Sequence, residues 1–155
     1  MVISADARAR IDAEIARYPH KRGALLAALH EVQKEQGGIA PEAMRELAEL
    51  FGILPIEVME VVTFYNMFSA ERQGRHQVRV CTNLPCSLRG ARALAHALEQ
   101  HLGIEAGETT PDGRITFGHE ECLGACAWAP MMRVGDTYYE DLDVEKARQI
   151  LDSLK

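Results

Sequence analysis

No apolar run in this sequence approaches the length of a membrane span, and the N-terminal stretch M-V-I-S-A-D-A-R has no hydrophobic signal core. Direct membrane insertion and export are therefore not expected, and a cytoplasmic location is. The basic surplus that nucleic-acid binding needs is also missing: 17 Lys and Arg stand against 23 Asp and Glu, for a net charge of −6. There is no G-x-G-x-x-G after a strand pattern and no P-loop, so a nucleotide is expected to bind elsewhere than on this chain. Cysteine is scarce, with four in 155 residues, and none has C-x-x-C spacing. Disulfide exchange chemistry is not indicated.

The few cysteines are arranged in two short pairs. Cys81 and Cys86 lie in C-T-N-L-P-C, and Cys122 and Cys126 in C-L-G-A-C. Four thiols in two tight pairs, with none left over, most simply form one tetrathiolate site, because the thiolate is the metal-binding form of cysteine. Unrelated buried cysteines or two disulfides are the plainer readings. A reducing cytosol favours metal over disulfides.

Composition allows one large domain or two small ones, with 47% hydrophobic residues to build a core. The pattern divides the chain near residue 70. Before it, everything reads helical. Ile11, Ile15 and Tyr18 repeat at helical spacing after a cap at Ser4, ending at Tyr18-Pro19. A second helix is expected over 23–36 with Leu25, Leu26, Leu29 and Val32 inward, stopped by Gly37-Gly38. Pro41 opens a third carrying Met44, Leu47, Ala48 and Phe51, and Pro55 a fourth carrying Met59, Val62 and Phe64. Phe64, Tyr65 and Phe68 read first as core and second as interface. No ligand-spaced cluster of His, Cys or carboxylates occurs in this lobe.

A polar connector, 71–77, leads to a different pattern. Val78 and Val80 alternate with Arg79 in a strand that runs into Cys81. A loop through Pro85 and Cys86 then enters a helix near Arg89-Gly90, with Leu94, Leu98 and Leu102 buried and Gly103 as its cap. The turn Pro111-Asp112-Gly113 precedes a second strand with Ile115 and Phe117, which ends near Glu121. A hairpin of 131–134 and 137–140 follows the second cysteine pair, and Asp143 caps a last helix. The order β-α-β then β-β-α makes the first two strands parallel by the crossover rule. Both cysteine pairs then leave the same edge of the sheet, where open α/β sheets bind ligands.

Zinc and a [2Fe–2S] cluster both accept four thiolates. Two pairs suit two irons, and spacing favours iron–sulfur, with zinc left open. Such a cluster with its thiolates carries a formal charge of about −2. Arg89 and the helix N-terminus after Cys86 are the candidates to offset it, and Gly90, Gly124 and Ala125 are small enough for backbone N–H groups to approach sulfur.

Five stretches carry a resemblance: Y-P-H-K-R-G-A-L-L-A-A-L-H (18–30), V-T-F-Y-N-M-F (62–68), C-T-N-L-P-C-S-L-R-G (81–90), G-E-T-T-P-D-G (107–113) and E-C-L-G-A-C-A-W-A-P (121–130). In order and spacing they resemble the thioredoxin-like [2Fe–2S] subunit of NADH dehydrogenases, the small partner of the flavin subunit in respiratory complex I. Relatives serve NAD-linked formate dehydrogenases and NAD-reducing hydrogenases. The resemblance implies a helical docking lobe over 1–70 and a thioredoxin-like βαβ-ββα lobe over 71–155. It implies one [2Fe–2S] cluster on Cys81, Cys86, Cys122 and Cys126, with no hydride-transfer residue on this chain. FMN and NAD(H) would sit on the partner, which passes single electrons to the cluster within a complex peripheral to the inner face of the membrane. Trp128 departs from the smaller or polar residue the family pattern has there. A cis Ala129–Pro130 bond is expected from the thioredoxin-like plan. A zinc-stabilised interaction module and a thiol oxidoreductase are the readings from other classes.

Overall fold

The structure, a computed structural model, describes residues 2–155. The chain forms two compact units, Met1–Arg72 and Gln73–Lys155.

The first unit holds four helices: α1 (Ala5–Ile15), α2 (Leu25–Gln36), α3 (Pro41–Phe51) and α4 (Pro55–Phe64). Ser4 caps α1, its Oγ accepting from the Ala7 N–H at 3.1 Å. The helix stops earlier than the apolar spacing implied. The N–H groups of Arg17 and Tyr18 reach carbonyls only three residues back, so the chain tightens and leaves Tyr18 exposed. In α2 the buried stripe is Leu25, Ala28, Leu29 and Val32. Leu26 is exposed, because it sits about 100° around the helix from Leu25 and off that stripe. In α3 all the expected positions are buried, and Pro41 takes the first helical position. Glu57 closes the start of α4, accepting from the Leu54 N–H at 2.9 Å. On α4 only Val58 and Val62 are buried, whereas Met59 and Phe64 face outward. The expectation of an aromatic core at the end of α4 therefore holds only for Phe68; Phe64 is 80% exposed.

The second unit is a four-stranded sheet of order β2-β1-β3-β4, with β1 His76–Cys81, β2 Ile115–Glu120, β3 Met132–Val134 and β4 Thr137–Tyr139. The first strand takes in the last two residues of the expected connector. β1 and β2 are parallel, and β3 runs antiparallel to both β1 and β4. Between β1 and β2 lie α5 (Leu84–Leu88) and α6 (Ala91–Leu102), and α7 (Val144–Ser153) closes the chain. Asp143 caps α7 through a 2.7 Å bond from the Lys146 N–H. One face of the sheet supplies Val78, Val80, Phe117 and Met132 to a core shared with Leu94 and Leu98 of α6 and Ala147 and Leu151 of α7. This is the thioredoxin-like lobe that the element order implied, with the helical lobe before it in sequence.

The segment through Pro85 and Cys86 is helical rather than a loop. The Asn83 side chain accepts from the Leu84 N–H at 2.8 Å, and Pro85 lies in the first turn, where a missing N–H costs nothing. Gly90, with φ 92, turns the chain from α5 into α6, a left-handed conformation that other residues adopt poorly. The Ala129–Pro130 peptide is cis, as expected, and lies just before β3.

Candidate metal centre

Cys81 is the last residue of β1, and its register partner across the parallel pair is Glu120, the last of β2. The strands end together, so the segments that follow them leave from one edge. After β1, the Thr82 N–H donates to the Glu120 carbonyl at 3.0 Å, and the Ser87 hydroxyl returns to the Thr82 carbonyl at 2.8 Å. These bonds fold α5 back over the strand end and place Cys86 beside Cys81. After β2, residues 121–131 are tied to the hairpin. The Tyr138 hydroxyl donates to the Leu123 carbonyl at 2.9 Å, and the Asp141 N–H to the Trp128 carbonyl at 2.9 Å. Cys126 begins a single 3-10 turn that ends at Trp128.

The two pairs differ in exposure. Cys81 and Cys86 are 2% and 1% exposed and pack with Ala91, Ala125, Ala129 and Met131. Cys122 and Cys126 are exposed, and all four thiols are free. The Gly124 N–H lies 3.4 Å from the Cys122 Sγ, so small-residue backbone does approach sulfur here. Burial pushes the Cys86 thiol up to about 11; a hydrogen bond and charge from Cys81 add to this, a backbone bond from Met131 opposes it, and Cys126 contributes least. Cys81 and Cys126 are thus both within electrostatic reach of Cys86, whose thiolate is disfavoured by burial and by these neighbours.

Among the described residues, no three or more His, Cys, Asp or Glu side chains are grouped so as to hold a metal ion. A lone ion needs three or four donors converging on one point. A two-iron cluster asks for two thiolates at each iron, set apart by the cluster itself. The donor set is sulfur only and comes in pairs at one sheet edge, which fits the second demand.

A family described as "Thioredoxin-like [2Fe-2S] ferredoxin" matches residues 11–155. The chain belongs to that family. Among its relatives, a subunit of the NADH-quinone oxidoreductase of Rhizobium meliloti (strain 1021) is 43% identical, over 96% of this chain and 88% of its own length. The mitochondrial NADH dehydrogenase [ubiquinone] flavoprotein 2 of Dictyostelium discoideum is 41% identical, over 94% of this chain and 60% of its own. A crystal structure of NAD+-reducing [NiFe]-hydrogenase in the air-oxidized state aligns with a TM-score of 0.73 and 25% identity, over 84% of this chain and 22% of that one. The chain is thus a homologue of subunits of NAD(H)-linked oxidoreductase complexes.

Within this [2Fe–2S] ferredoxin frame, two exposed residues bear on the site. Arg89, the expected counter-charge, is exposed at the end of α5. Trp128 is 52% exposed, so packing within its own unit covers only about half of it. The sheet face opposite the helices holds a group the sequence reading passed over: Arg79, Glu120 and Arg133. Burial pulls the Arg79 pKa down, Glu120 pulls it back up, and Arg133 adds to the depression. The sequence signal for this group was an arginine between two valines, two residues before Cys81.

Proposed function

We propose that this chain is an electron-transfer subunit that holds one [2Fe–2S] cluster through Cys81, Cys86, Cys122 and Cys126. Its partner is an NADH-binding flavin subunit, most simply within an NADH:quinone oxidoreductase. The observation that carries the reading is the parallel β1–β2 pair, whose aligned ends deliver both cysteine pairs to one edge. Identities of 41% and 43% to subunits of NADH dehydrogenases favour that assembly over an NAD+-reducing hydrogenase, for which the identity is 25%.

When bound, the cluster supplies a one-electron couple that meets the two-electron chemistry of a flavin, which is the cofactor's contribution and not the protein's. The protein's part is binding, orientation and electrostatics. Cys81 and Cys86 would hold the buried side, where Ala91, Ala129 and Met131 keep water out. Cys122 and Cys126 would hold the exposed side and face the partner. Leu84, Leu88, Trp128 and Tyr138 are exposed apolar side chains in the same unit, suited to a partner contact around that edge. On the helical unit, Ile56, Met59, Phe64 and Tyr65 are exposed and suit a docking role.

Single Cys→Ser substitution at each of the four positions tests the ligand set. Each variant is expected to lose acid-labile sulfide and visible absorption, since a hydroxyl is a poor iron ligand at neutral pH. A variant that keeps full iron, full sulfide and an unchanged spectrum removes that cysteine from the site.

A further inference from the structure

The sheet face turned away from α6 and α7 carries charge where the other face carries core. Arg79 and Arg133 are register partners on β1 and β3, and Gly118 lies opposite Arg79 on β2. A Cβ at Gly118 would overlap the Arg79 guanidinium, so that arginine lies directly over the glycine. Glu120, two residues further along β2, is buried at 8% exposure. Its carboxylate is 3.9 Å from the Arg133 guanidinium, too long for a hydrogen bond, and the Arg133 Nε is buried with no acceptor. Glu120 also acts on Arg79 through its charge, so among these three side chains two guanidiniums stand against one carboxylate, a net of one positive charge.

A buried N–H without an acceptor calls for a reason, and local hydrogen bonding does not supply one here. The position of the group does. Arg79 precedes Cys81 by two residues and shares its face of the sheet. Arg133 follows Met131 by two, and the Met131 carbonyl accepts from the Cys81 N–H at 3.2 Å. Glu120 is the register partner of Cys81. The arginines thus form the row of the sheet next to the cysteine row, about 7 Å away along the strands.

We propose that Arg79, Glu120 and Arg133 form a half-buried counter-charge that sets the reduction potential of the redox group held by the four cysteines, with Arg133 supplying the surplus positive charge. This rests on the iron–sulfur reading above. Reduction adds one electron, and so one negative charge, to a site already near −2, and net charge is one of the quantities that fix such potentials. A unit charge about 10 Å away, at an effective dielectric near 20, shifts the oxidised-to-reduced ratio on the order of tenfold. For a one-electron couple that is about 59 mV. Arg89 is exposed, so its field is screened by solvent and salt.

The test is a mediated titration of the full chain reconstituted with iron and sulfide. Dithionite donates the electron, and visible absorption and electron paramagnetic resonance report the ratio. Arg133→Gln is expected to lower the potential by up to that tenfold ratio, Arg133→Lys to keep it, and Glu120→Gln to raise it. Loosened packing alone would not give opposite signs for two neutralising, shape-conserving changes. Unchanged potentials, or shifts of the same sign in both Gln variants, overturn the proposal. If Arg133→Gln does not fold, Glu120→Gln decides alone: a rise supports the counter-charge, and no rise overturns it. A wild-type chain that takes up no cluster overturns the iron–sulfur reading itself.

Discussion

Trp128 shows how one side chain separates folding from association. It is 52% exposed beside the second cysteine pair, and its backbone donates to Ala125 and accepts from Asp141. Trp128→Ala should therefore leave the unfolding free energy of the isolated chain, read from urea denaturation, within about 0.5 kcal/mol of wild type. Affinity for the flavin subunit should fall by about 2 kcal/mol, on the order of 30-fold, if the indole anchors that contact. Calorimetric titration of the two subunits measures it, and unchanged affinity would remove Trp128 from the interface. The four cysteines stand out in the sequence as candidate ligands because they are few and paired. The arginines on the sheet do not. In Val78-Arg79-Val80 the alternation marks a strand and a polar face, but it does not say that Gly118 lets the guanidinium lie flat on the sheet or that Arg133 stands beside it.

Elements were legible where glycine, proline and caps punctuate the chain. Pro41, Pro55, Ser4 and Asp143 begin helices as their chemistry implies, and Gly37, Gly52 and Gly103 end them. Two kinds of element were misread. α5 is five residues long, too short for a periodic pattern, and its signal is the Asn83 cap followed by Pro85. On α4 the apolar residues run nearly all round, so the sequence could not tell buried Val58 and Val62 from exposed Met59 and Phe64. The cap on α7 gives a measurable stake: Asp143→Ala should cost about 1 kcal/mol in chemical denaturation, through loss of the Lys146 N–H bond. Phe117, fully buried on β2 between the sheet and its helices, should cost about 3–5 kcal/mol when cut to Ala. A smaller loss there would mean that the sheet core is looser than described.

At the scale of the whole molecule, the two units have separate cores, one formed by the four helices and one by the sheet with α6 and α7. All four cysteines belong to the second. We expect a chain of Gln73–Lys155 alone to fold and to take up the cluster, with the helical unit serving partner contact; a soluble, folded fragment that fails to load would contradict that division of labour. The order of elements in the second unit was legible because the crossover rule leaves one arrangement for a β-α-β start. The difference in burial between the cysteine pairs was not, since it depends on how α5 and residues 121–131 close over the sheet edge. The central claim is that these four thiols hold a two-iron cluster, and the most direct measurement is metal and sulfide analysis of the purified chain with its visible spectrum. The account predicts a red-brown protein with about two irons and two acid-labile sulfides per chain. A colourless protein that holds a single zinc, or whose thiols close into disulfides without metal, would contradict it.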